Sequence, residues 1–111
     1  METVFSKIIS REIPADIVFE NDDVIAFRDI NPQAPVHVLI VPKKWVKGIE
    51  SADSSDKLAE LLLAAAQIAR DEGVDRRGYR LVINSGADGG QTVDHLHVHL
   101  LGGRKMHWPP G

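Results

Sequence analysis

Five histidines occur in the chain, and three of them fall in the run His95-Leu96-His97-Val98-His99-Leu100-Leu101, alternating with apolar residues. In an extended backbone successive side chains leave opposite faces, so this run predicts a strand with three imidazoles on one side and Leu96, Val98 and Leu100 on the other. Three imidazoles in a row bring no gain in strand propensity and repel one another once protonated, so their nitrogens must have a use. A metal site is one use, since imidazole is the commonest zinc ligand. A structural zinc site wants four ligands, however, and a catalytic one a nearby carboxylate or histidine; Asp94 leaves the opposite face of the strand, and His37 alone remains to be offered. A merely solvated face is a second reading, and it leaves unexplained why His37 interrupts the otherwise apolar Val36-His37-Val38-Leu39-Ile40-Val41. Taken alone, His37 reads as a core histidine bonded to a carbonyl. The third use is nucleophilic and acid–base catalysis at phosphorus. One imidazole attacks, and does so best when its other nitrogen donates to a fixed acceptor; a neighbour binds or protonates the oxygens. The glycine-rich Ser85-Gly86-Ala87-Asp88-Gly89-Gly90-Gln91-Thr92 supports this use, because consecutive backbone amides make an anion-binding concavity. Thr92 adds a hydroxyl at its edge and Asn84 an amide at its start. No Gly-Lys-Ser/Thr phosphate loop is present, which argues against a magnesium nucleoside triphosphate held in that manner.

The elements that must position these groups are legible in order. Phe5, Ile8 and Ile9 at helical spacing predict a short helix within 4–13, stopped by Pro14. Ile17–Glu20 and Val24–Arg28 flank the turn residues Asn21-Asp22-Asp23 and predict an antiparallel hairpin. Asn31-Pro32-Gln33-Ala34-Pro35 is a stiff extended loop that delivers the strand 36–41, buried on both faces. A helix is expected from about Asp56 to Glu72, with Leu58, Leu61, Leu62, Ala65, Ile68 and Ala69 facing the sheet and Gly73 ending it. Arg80–Asn84 is a further strand, antiparallel to the histidine strand across the glycine-rich loop. Gly102-Gly103 ends the last strand, and the Trp108-Pro109-Pro110 tail suggests a docked segment at a subunit contact.

With 111 residues the chain supports one domain, 1–111, and a single site. It has no apolar stretch of the roughly 20 residues that span a bilayer, no secretory-type start and no cysteine, which removes disulfides and thiolate chemistry and agrees with a cytoplasmic location. The formal net charge of −3 argues against nucleic acid as a partner, and nothing points to a membrane. Lys43 and Lys44 read as a solvated edge.

The run from His95 to Leu101 resembles the alternating signature of the histidine triad (HIT) superfamily. Phe27 through His37, Gly86 through Gln91 and the ending Leu101 through Gly111 look like its histidine triad nucleotide-binding (Hint) branch. The resemblance implies an α+β HIT-like fold: an antiparallel five-stranded meander sheet with one long and one short helix, the sheets of two copies joined across a two-fold homodimer. It implies a purine nucleoside 5′-phosphoramidate hydrolase that needs no metal or cofactor and takes an AMP or GMP moiety. His97 would attack the α-phosphorus and form a nucleotidyl-histidine that water hydrolyses. His99 would bond the phosphoryl oxygens or the leaving group, and His95 and His37 would set tautomer and ring orientation. Asp29 would hold the ribose, Ile30, Phe27, Ile8 and Phe5 would wall the base, and Asn84, Gly90, Gln91 and Thr92 would surround the phosphate. The sequence departs from the pattern at Thr92, where serine is common, at Asp94, where an aromatic is frequent, and at Trp45, where a histidine often follows the lysine pair. His99 stands where the hexose-phosphate uridylyltransferase branch has glutamine, favouring hydrolysis over sugar transfer. The alternatives are a dinucleoside polyphosphate hydrolase of the same superfamily and a non-catalytic purine mononucleotide-binding regulatory module.

Overall fold

Alternating apolar residues on adjacent strands divide the molecule into two layers of packing. In the computed structural model, which describes residues 1–111, the strands are β1 (Ile17–Glu20), β2 (Val24–Arg28), β3 (Val36–Pro42), β4 (Tyr79–Val82) and β5 (Val98–Gly102). All neighbours pair antiparallel, in the order β1-β2-β3-β5-β4. The five-stranded antiparallel sheet is thus as expected. It runs as a meander only through β3, because β5 enters between β3 and β4.

Val24, Ala26, Val38, Ile40, Val98 and Leu100 project to one face and pack under the helix α2 (Leu58–Asp71). Ile25, Phe27, Leu39 and Val41 project to the other and pack under the helix α1 (Val4–Ile9) with Phe5 and Ile8. A central strand covered on both sides must be apolar throughout, which is why β3 reads as a continuous run. His37 lies in phase with Leu39 and Val41, on the α1 face. The histidines therefore meet the short helix, and the long helix serves only the opposite core.

Helix boundaries differ from the periodicity in instructive ways. α1 is closed by a capping box between Thr3 and Ser6 and ends at Ile9, short of the expected 13. Arg11 adopts φ 68°, and Glu12 and Ile13 both donate their N–H to the Lys7 carbonyl, so the chain folds back. α2 starts at Leu58 and not at Asp56. The Asp53 and Asp56 carboxylates cap a 3₁₀ turn at Ser54–Asp56, and Lys57, at φ 53°, separates that turn from the helix. Leu61, Ala64, Ala65, Ile68 and Ala69 are buried, whereas Leu62 and Leu63 are 47% and 64% exposed; Leu62 thus falls outside the predicted stripe, and Ala64 takes its place. The tail is tied to the sheet where Arg80 donates to the His107 carbonyl at 2.9 Å, but Trp108 stays 83% exposed and is not docked on its own chain.

Ile68, 1% exposed beneath the sheet, is expected to cost about 2–5 kcal/mol when cut back to alanine. The exposed Glu60→Ala should stay within about 0.5 kcal/mol, and urea unfolding of the two variants measures the contrast.

Candidate active site

The three histidines of the alternating run do not all lie in the strand. β5 begins at Val98, so His95 and His97 occupy its lead-in and only His99 is paired, opposite Leu39 on β3 and Val82 on β4. The lead-in is held by other means. The Leu96 N–H reaches the Val46 carbonyl at 2.7 Å, the Trp45 indole donates to the Asp94 carbonyl at 2.8 Å, and the His95 ring bonds the Pro42 carbonyl through Nε2 at 2.8 Å. The alternation nonetheless persists: Leu96 joins Val98 and Leu100 in the core under α2. His95 and His97 meet the edge of Phe5 on the α1 face, at centroid distances of 5.9 and 5.0 Å.

Each ring's tautomer follows from its partners. His97 Nδ1 lies 2.7 Å from the His95 carbonyl oxygen. A carbonyl only accepts, so Nδ1 carries the proton and Nε2 keeps its lone pair. The expected orienting role of His95 is therefore filled by its main chain, while its ring is turned to Pro42. His95 Nδ1 is buried with no hydrogen-bond partner. His37 accepts the Gln33 backbone N–H at Nδ1, at 3.0 Å, so its proton sits on Nε2. That nitrogen lies 3.0 Å from His99 Nδ1, which must accept, and the His99 proton is on Nε2. His37 thus supports His99 and not His97. The His97 and His99 rings stand 5.0 Å apart, one offering a lone pair and the other an N–H donor.

Beside them lies a cavity of about 270 Å³. Of the residues expected at a substrate, Phe5, Ile8, Phe27, Asp29, Ile30, Thr92, His97 and His99 line it. Ile30 is fully exposed at its rim. Ile13, Pro14, Ala15, Leu39 and Val93 also line it and were not anticipated. The first three reach it only because the left-handed Arg11 turns the chain back beneath α1, a conformation no side-chain pattern signals.

Asn84, Gly90 and Gln91 are not among the lining residues. The glycine-rich stretch is not an open nest of amides but a one-turn helix, α3 (Gly86–Gly89), and the Gly90 N–H donates to the Ala87 carbonyl. The Gln91 amide is occupied in holding loops: it accepts the Gly86 N–H and donates to the carbonyls of Lys47 and Val93.

One set of side chains has metal-ligand chemistry, Asp29, His37 and His99, whose ligand atoms lie within 4.8 Å of one another. In this arrangement the facing nitrogens of the two imidazoles bond each other, so a cation there would have to displace that hydrogen bond. Asp29 Oδ2 stands 3.5 Å from His37 Nε2, and its Oδ1 accepts the Asn31 N–H.

A sheet that carries a fourth histidine against three near-collinear ones, roofed by a short helix over an apolar cavity, defines the class of histidine triad proteins. The HIT domain family model matches residues 10–106, and the chain belongs to that family. Its relatives place it in the Hint branch. It is 52% identical over 113 residues to a protein of Arabidopsis thaliana named adenylylsulfatase HINT1, covering 98% of this chain and 76% of the relative. A HIT family hydrolase from Legionella pneumophila superposes with a TM-score of 0.96 at 51% identity, covering 99% of this chain and 100% of the other. A histidine triad nucleotide-binding protein from Candida albicans superposes with a TM-score of 0.85 at 30% identity, covering 99% and 85%.

Burial holds all four imidazoles below their ordinary value near 6.5. For His97 the bond to the His95 carbonyl works against this, and for His37 the Asp29 carboxylate does. His99 falls to about 4, through burial and then the positive charge that His97 and His37 would add. A group whose value drops on folding binds its proton first in the unfolded chain. Stability should therefore hold above pH 6.5 and fall as pH drops from there toward 4, with His99→Gln falling less steeply. Urea midpoints at pH 7.5 and 5 test this, and an equal fall in both proteins would remove His99 from the effect.

Proposed function

We propose that the chain, acting as one HIT domain, hydrolyses purine nucleoside 5′-phosphoramidates through a covalent nucleotidyl-histidine. The observation that carries this reading is the pair of opposed tautomers. His97 Nε2 has a lone pair while its Nδ1–H is held by the His95 carbonyl, and His99 offers an N–H beside it. In the first step Nε2 of His97 bonds to the α-phosphorus as the phosphorus–nitrogen bond to the amine breaks. The amine leaves with the proton of His99 Nε2, and the water that attacks next returns a proton to the same nitrogen. Water then attacks phosphorus, the bond to His97 breaks, and the nucleoside monophosphate departs. Phe5, Ile8, Phe27 and Ile30 supply an apolar wall for a purine, and Asp29 stands at the same cavity for the ribose hydroxyls. Asn84, Gly90 and Gln91 are left out of this scheme, and Thr92 is the loop residue kept near the phosphate. No step calls for a metal or cofactor.

We further propose that two copies join in a homodimer that extends the sheet. β4 is an edge strand, Leu81 and Ile83 on it and beside it are 36% and 38% exposed, and Leu62 and Leu63 expose apolar surface on α2. No helix is long and apolar enough to cross a membrane, and the cysteine-free chain is placed in the cytoplasm in this reading.

The name of the Arabidopsis relative favours a second reading, cleavage of adenylyl sulfate. Sulfate leaves as an anion that needs no proton, so that reaction would use His97 without the donor on His99. Comparing kcat/KM for adenosine 5′-phosphoramidate, adenosine 5′-phosphosulfate and a diadenosine polyphosphate separates the readings. The phosphoramidate is expected to be preferred; preference for another substrate transfers the assignment to it, and tight AMP binding with no turnover makes the chain a binding module. His97→Ala should lose more than about 10⁴-fold in turnover, beyond what one acid–base group supplies, while still binding AMP. Mass spectrometry of acid-quenched native protein should find the nucleotidyl adduct on His97, and an adduct elsewhere would displace it as nucleophile.

A further inference from the structure

Beyond the residues that line the cavity, a chain of hydrogen bonds runs from the carboxy-terminal segment to the proton donor. Arg104 Nε donates to the Gln33 carbonyl at 2.9 Å. Gln33 N–H donates to His37 Nδ1 at 3.0 Å, and His37 Nε2 meets His99 Nδ1 at 3.0 Å. Gln33 is an exposed residue of the loop 31–35, whose other hydrogen bonds are local: Asn31 N–H to Asp29, and the Gln33 side chain to the Asn31 carbonyl. Two prolines in that loop donate nothing. Arg104 is thus the side chain that ties this loop to another part of the fold. The approach is also shaped for it. Gly103 takes φ 88°, and a Cβ there would come within 2.9 Å of Pro35 Cβ, so only glycine lets the segment run this close to the loop. A second nitrogen of Arg104 donates to the Lys105 carbonyl, which fixes the guanidinium in place.

We infer that Arg104 is a positioning residue for the reaction: by holding the Gln33 carbonyl it keeps the Gln33 N–H on His37, and so keeps the His99 proton on Nε2. The nitrogen and the carbonyl of Gln33 flank one α-carbon, so anchoring the carbonyl restricts where the N–H can point. Without that donor, His37 loses one of the two groups that hold its proton on Nε2, the Asp29 carboxylate 3.5 Å from Nε2 being the other. In a share of molecules the proton sits on Nδ1 while Nε2 accepts from His99 Nδ1–H. Each ring then has its proton on its other nitrogen, and His99 presents a lone pair where a leaving amine needs a donor. Nucleotide binding and the lone pair on His97 are untouched, because His97 takes its tautomer from the His95 carbonyl. Arg104 therefore acts on leaving-group protonation alone. Its kinetic part rests on the phosphoramidase reading; its structural part does not.

The test is ¹⁵N NMR of the two histidines in the full chain at pH 7.5, where two-bond couplings report which nitrogen is protonated. In the native protein His37 and His99 are both expected as Nε2–H. In Arg104→Ala both should become mixtures, Arg104→Lys should restore part of the native pattern, and Arg80→Ala, which frees the tail at His107 instead, should leave it intact. Unchanged tautomers in Arg104→Ala overturn the inference, as does an equal change in Arg80→Ala. In turnover, Arg104→Ala should lose roughly ten- to a hundredfold in kcat for an alkylamine phosphoramidate with KM unchanged. It should lose little for an adenylate ester of p-nitrophenol, whose anion leaves unprotonated. Equal losses for both leaving groups would also overturn it. If the native protein cleaves neither substrate, the proposed function fails and the NMR comparison alone decides the role of Arg104.

Discussion

The hydrogen bond from His97 Nδ1 to the carbonyl of His95 is the constraint on which the site depends. A buried imidazole must satisfy at least one nitrogen, and here the acceptor lies two residues earlier on the same chain. That bond selects the tautomer and turns the ring, leaving a single lone pair on the nitrogen opposite. The backbone at 95–97 stands outside regular strand pairing, and β5 starts at Val98. The lead-in is instead held by Val46, Pro42 and Trp45, so the segment just after β3 is a structural part of the site although none of it lines the cavity.

The second imidazole pair works by the opposite logic. His37 and His99 sit on adjacent strands, and their rings share one proton-bearing contact whose direction is set from outside, by the Gln33 amide at His37 Nδ1 and the Asp29 carboxylate near His37 Nε2. Low solvent exposure keeps both neutral and makes the direction of that contact meaningful, since a charged pair would repel. Asp29 beside them opposes this by favouring a proton, yet burial dominates for each. In the neutral state His97 keeps a lone pair on Nε2 while His99 keeps an N–H donor there.

The glycine-rich loop shows how a plausible local reading yields to packing. Consecutive glycines allow an anion-binding nest, but the same freedom allows the one-turn helix α3, and the Gln91 amide stitches that turn to Lys47 and Val93. Its contribution is to place Thr92 and Val93 at the cavity. Trp45 likewise has a structural use: its indole donates to the Asp94 backbone carbonyl and helps hold the lead-in to β5.

The amino-acid order by itself determined the strand segments, the antiparallel pairing of β1 with β2 and of β4 with β5, and the long helix, although the histidine run enters its strand only at Val98. Each of these depends on side-chain alternation, helical spacing or turn chemistry within a few residues, and local steric rules act at that range. It also marked Phe5, Ile8, Phe27 and Asp29, through a family resemblance carried by contiguous motifs. Tertiary structure alone decided which histidine supports which. His37 pairs with His99 because β5 inserts beside β3, a sheet order that no local pattern encodes. It decided too that Ile13, Pro14 and Ala15 wall the cavity, through one left-handed residue, and that Leu62 faces outward although it fits the helical stripe. In each case the outcome depended on what another element placed opposite, and contacts between residues distant in sequence are created only when the chain closes on itself.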